Sequence, residues 1–84
     1  MRSYFVTFRS VTYAQRAERI LKDGGIRCML QRAPRAMEER GCGYGLTLRP
    51  QDVQMALAMI RQAQVPLRKV YVKDPSGKTE EVEL

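Results

Sequence analysis

Histidine is missing altogether from this chain of 84 residues. Its absence excludes Ser-His and Cys-His nucleophilic pairs, histidine general bases and mixed His/Cys zinc sites. Cysteine is scarce: Cys28 and Cys42 are the two. Two thiols make no disulfide framework, and two alone do not close a structural zinc site within one chain. No metal and no cofactor are therefore expected. No stretch approaches the length of apolar run that a membrane helix needs. The opening MRSYFVTF has neither an apolar signal core nor a small-residue cleavage site. The expectation is a cytoplasmic protein with free thiols and no membrane partner.

What is present is ordinary for a globular domain: 44% hydrophobic and 29% charged residues. The length supports one domain over residues 1–84, which would bury roughly 60% of its unfolded surface in one thin core. The charge is less ordinary. Fifteen basic residues against nine acidic ones give +6, and eleven of the basic residues are arginine. The planar fork of arginine suits phosphate and carboxylate. A merely basic surface and a polyanionic partner both fit that balance.

The pattern along the chain predicts the elements. Residues 4–8, YFVTF, are aromatic and β-branched, as a strand prefers. Thr12 and Gln15 have capping-box spacing, and Ala14, Ala17 and Leu21 recur at helical spacing after them. Asp23-Gly24-Gly25 offers a left-handed stop. In a second strand over 26–31, Ile26, Cys28 and Leu30 point one way, and Arg27, Met29 and Gln31 the other. A loop from Arg32 to Gly41 leads to a third strand over 42–48. Pro50 suits the first turn of a second helix with a buried stripe of Val53, Ala56, Leu57 and Ile60, flanked by Met55 and Met59, which are expected to pack. Pro66 stops it, and 67–73 form a fourth strand. Asp74-Pro75-Ser76-Gly77 is a turn, and 74–84 as a whole reads as that turn plus an acidic tail or edge strand carrying Glu80, Glu81 and Glu83. The order β-α-β-β-α-β implies an α+β, ferredoxin-like sandwich: an antiparallel sheet with two helices on one face and the other face open, with an extra C-terminal edge strand where the tail pairs.

Cys28 lies among apolar residues and reads as core filler. Cys42 differs. It stands where a loop becomes a strand, between Gly41 and Gly43, which leave the backbone approachable and the thiol accessible. Arg32, Arg35 and Arg40 precede it and favour thiolate over thiol, while Glu38 and Glu39 oppose them.

Several short motifs recur here in a recognisable order. Phe8-Arg9-Ser10 ends the first strand. Ala14 with Glu18 follows on the helix, then Leu21, Lys22, Gly24, Gly25 and Ile26, then Pro34-Arg35, and then Cys42-Gly43 with Gly45-Leu46. In this order the chain, over about residues 4–50, resembles the selenium/sulfur carrier-like family, small domains formerly of unknown function. The resemblance implies a non-catalytic carrier or adaptor. Cys42 would hold sulfur or selenium as a persulfide-type adduct, with Arg35 and Arg40 stabilising the anion, and the partner would be a cysteine desulfurase or a selenium-metabolism protein. The chain departs from the family in its loop, which is about one residue longer and carries Glu38, Glu39 and Arg40 where the family has serines.

A second reading is open. RGCGYGLTL, Arg40 to Leu48, is similar to the third-strand motif of RNA-recognition modules, with the 4–8 strand as its companion. Tyr44 would then be the stacking aromatic on the open face and Arg40 a phosphate contact. Cys42 and Leu48 occupy two positions where that motif has aromatics, and each missing platform removes about 1–3 kcal/mol of base stacking.

Overall fold

In a computed structural model of the chain, the structure describes residues 2–33 and 43–83. The elements in chain order are β1 (Ser3–Phe8), α1 (Val11–Asp23), β2 (Cys28–Arg32), β3 (Tyr44–Leu48), α2 (Val53–Gln62), β4 (Val70–Lys73) and β5 (Thr79–Val82), with a 3-10 turn at Pro50–Asp52 leading into α2. The class is α+β. One antiparallel sheet of five strands runs in the order β2-β3-β1-β4-β5. The acidic C-terminal stretch is therefore an edge strand over Thr79–Val82. No helix among the described residues is long and apolar enough to cross a membrane.

Strand alternation sorts the sheet into two faces. Val6 and Phe8 of β1, Leu46 and Leu48 of β3 and Val70 of β4 share one face, and each is almost fully buried. They join one core with Ala14, Ala17 and Leu21 of α1 and Val53, Ala56, Leu57 and Ile60 of α2. Both helices therefore cover the same face, and the helical stripes are those the sequence spacing predicts. Each buried Leu, Ile or Phe contributes about 1.5–3 kcal/mol of transfer free energy, which is how so small a core holds the layers together.

Three sequence expectations need correction. The α1 N-cap is Ser10, not Thr12: Ser10 is extended, and its hydroxyl accepts from the Tyr13 N–H at 3.4 Å. Thr12 lies inside the helix, because the serine two residues earlier takes the capping role first. The left-handed stop of α1 is met as expected, on Gly25 with φ of 81°, after Gly24 has closed the last turn. The fourth strand is shorter than 67–73, because Arg68 and Lys69 form a β-bulge. Thr7 faces both of them. Its N–H donates to the Lys69 carbonyl, its own carbonyl accepts from Arg68 N–H, and its hydroxyl accepts from Lys69 N–H at 3.1 Å. Two residues opposite one break the ladder there and deepen the local twist. Last, the two methionines of α2 part company. Met59 packs toward Gly24, whereas Met55 is 63% exposed.

The 74–77 turn matches its residues. The Asp74 carboxylate accepts from Ser76 N–H, the Ser76 hydroxyl and Lys78 N–H. These bonds, Ser76 first, hold its pKa below the usual carboxylate range. Gly77 takes φ of 91°. β5 then pairs with β4, and Lys69 reaches the Glu81 carboxylate at 3.5 Å, a diagonal contact between the bulge and the edge strand.

Candidate functional site

The candidate site is built at the end of the sheet where β2 turns into β3. In the register of the ladder, Phe8 lies opposite Tyr44, and Tyr44 opposite Arg32. One step further, Ala33 N–H donates to the Gly43 carbonyl at 3.0 Å. Ala33 and Gly43 thus close a hairpin, and Gly43 is buried. Cys42, Arg35, Arg40 and Gly41 lie outside the described residues, between those two anchors in sequence.

The described residues at this end are basic. Arg32 ends β2 and Arg9 follows β1; both are exposed. The same end receives the first turn of α1, which carries no acidic residue. The N-terminal end of a helix carries partial positive charge. Guanidinium groups and an uncompensated helix N-terminus favour an anion, and a thiolate is one.

The second cysteine has the opposite surroundings. Cys28 is half-buried against the core, on the same face as Leu30, and its Sγ–H points at the Glu18 carbonyl 3.9 Å away. Burial first, and then the Glu18 carboxylate, raise its pKa above the ordinary 9.0, with Lys22 pulling the other way. At neutral pH it is a protonated packing group, as its place in the alternation predicts.

The stacking residue of the RNA reading is not where that reading needs it. Tyr44 shares parity with Leu46 and Leu48 and packs against the core on the helix side. The signal was present in the sequence. Leu46 and Leu48 alternate with Gly45 and Thr47, and the same alternation turns Tyr44 inward. On the open face β1 offers Phe5, which is only 7% exposed. A base has no ring of β1 or β3 on which to lie. Arg40, the phosphate contact of that reading, is outside the described residues.

Among the described residues, no three His, Cys, Asp or Glu side chains stand together as a metal site.

These features define a small α+β domain with an arginine-bordered hairpin whose connection contains Cys42. Residues 3–72 match the family described as "Putative Se/S carrier protein-like", and the chain belongs to that family. The match extends well past the 4–50 stretch that carries the resemblance in sequence, through α2 and into β4. Neither the curated proteins nor the solved structures give a match to the chain.

Proposed function

We propose that the protein is a non-catalytic sulfur or selenium carrier, and that Cys42 is its carrying thiol. Family membership is the observation that carries this reading. Two features of the fold support it. The connection containing Cys42 starts and ends in a hydrogen-bonded pair, so a reactive residue there has a rigid base. The described surroundings of that base are cationic. Arg35 and Arg40 would add to this field beside the thiolate, and Gly41 and Gly43 would leave room for a donor to approach. The order β2-β3-β1-β4 with both helices on one face is read here as a ferredoxin-like sandwich, with β5 added at the β4 edge.

The chemistry asked of Cys42 is a sulfur transfer without net oxidation. Its thiolate attacks the terminal sulfur of a persulfide on a cysteine desulfurase. A new S–S bond forms at Cys42 and the donor's S–S bond breaks. The donor cysteine leaves as thiolate, and the terminal sulfur keeps its proton. The reverse attack by an acceptor discharges the carrier. A selenium adduct would follow the same course. No histidine is needed where the attacking group is a thiolate.

The reading is tested by alkylation. Iodoacetamide at neutral pH, followed by peptide mass spectrometry, should label Cys42 much faster than Cys28. Equal rates, or faster labelling of Cys28, would remove Cys42 from the role.

A further inference from the structure

At the opposite end of the sheet from the hairpin lies a cleft that the carrier reading does not use. It has a volume of about 410 Å³ and is lined by Arg2, Arg27 and Arg49 together with Cys28, Met29 and Pro50. Ser3, Thr47 and Leu48 complete its wall. Cys28 and Ala33 are five residues apart on one chain, so at about 3.3 Å per residue the cleft stands roughly 17 Å from the hairpin base.

Folding alone disfavours this arrangement. Cys28 pairs with Leu48, and Leu48 with Tyr4. One step outward along the same register, Arg27 falls opposite Arg49, with Ser3 next to it on β1. Like charges directly across strands repel. One of them is partly compensated: Arg49 donates through Nε to Asp52 Oδ2 at 2.8 Å, and its Nη2 is 2.8 Å from the same oxygen. Among the described residues, no carboxylate forms an ion pair with Arg27 or Arg2, and both are exposed. The Asp74 carboxylate lies within the field of Arg2, which helps to lower its pKa. The cleft therefore holds three guanidinium groups, offset by Asp52 on Arg49 and in part by Asp74 near Arg2, beside an apolar wall. Met29, 58% exposed, is part of that wall. Its thioether is an adaptable apolar surface.

We propose that this cleft binds a small organic anion. A carboxylate or phosphate monoester would lie between Arg27, Arg49 and Arg2, with its apolar part on Met29 and Pro50. Arginine forks match both anions in two-pronged geometry. The volume is that of a small-molecule site. The proposal does not rest on Cys42 or on sulfur transfer.

The test uses phenyl phosphate as the probe, followed by amide chemical shifts of the full chain at physiological salt. Saturable shifts confined to Arg27, Cys28, Met29, Leu48 and Arg49 are the expected result. Arg27→Gln should weaken the probe by about tenfold, the value of one charge-assisted hydrogen bond. Arg19→Gln, on the exposed side of α1, should leave it unchanged. Met29→Gln should weaken phenyl phosphate but not inorganic phosphate. Shifts scattered over all exposed arginines would overturn the proposal. So would equal affinity for inorganic phosphate and phenyl phosphate, or tight binding of a single-stranded oligonucleotide at this cleft with none of phenyl phosphate. Benzoate separates the two sources of the anion: a carboxylate site holds it as tightly as phenyl phosphate, and a phosphate site holds it less tightly.

Discussion

The ring of Phe5 lies over Gly45 on the sheet face turned away from the helices. A Cβ at Gly45 would stand 2.5 Å from Phe5 Cζ and 2.5 Å from the Val6 carbonyl oxygen. The ring could turn aside; the backbone oxygen could not. Gly45 is thus the place where one strand lets an aromatic of its neighbour lie flat, and this is why Phe5 is buried on a face without a helix. Gly45→Ala should lower stability by about 1–3 kcal/mol. Thermal unfolding should then shift down by about 4–8 °C per kcal/mol for a domain of this size. An unchanged midpoint would mean that the sheet accommodates the methyl group.

Thr7 holds the bulge. Its hydroxyl accepts from Lys69 N–H and donates to the Lys69 carbonyl, the latter at 3.2 Å. Thr7→Val keeps the shape and removes both bonds from a part-buried position. The expected loss is about 1–3 kcal/mol in denaturant unfolding. Thr7→Ser, which keeps the hydroxyl, should recover most of it.

Two substitutions separate the capping assignments for α1. Ser10→Ala should cost about 1 kcal/mol, the usual worth of an N-cap oxygen. Thr12→Ala should cost less or even stabilise, because alanine is the better residue inside a helix. The reverse order in chemical denaturation would restore Thr12 as the cap.

Cys28 gives a prediction in pH. Its folded pKa is raised, so the folded state holds this proton more tightly than the unfolded chain does. The stabilisation is complete below the ordinary value of 9.0 and is lost as pH rises through the folded value. Stability of the wild-type chain should therefore fall above about pH 9 more steeply than that of Cys28→Ala, read as the difference between two urea midpoints. Parallel curves would show that Cys28 has no such coupling.

Much of this was legible in the chain. The stripe Ala14, Ala17 and Leu21 and the stripe Val53, Ala56, Leu57 and Ile60 carry a helical period, and burial follows that period directly. The alternation of Ile26, Cys28 and Leu30 placed Cys28 on the core side in the same way. The bulge was not legible, because it depends on a hydroxyl 62 positions away in sequence from the carbonyl it serves. Ser10 does not stand out in the sequence, because Thr12 and Gln15 satisfy the same local rule. The RNA-recognition motif puts Tyr44 on the open face, whereas the parity of Leu46 and Leu48 turns it toward the core. The Arg27–Arg49 opposition became visible only once the register of β2 and β3 was known. At the hairpin the second strand runs to Arg32 rather than to residue 31, and the third begins at Tyr44 rather than at residue 42, with Cys42 outside the described residues.

The account turns on Cys42 as the loaded atom. The direct measurement is intact mass after incubation with a cysteine desulfurase and cysteine. The wild type and Cys28→Ser should each gain the mass of one sulfur atom, removable by a thiol reductant, and Cys42→Ser should gain none. Sulfur retained by Cys42→Ser, or no added mass on the wild type beside a desulfurase that does charge its own acceptor, would contradict the carrier role of this cysteine.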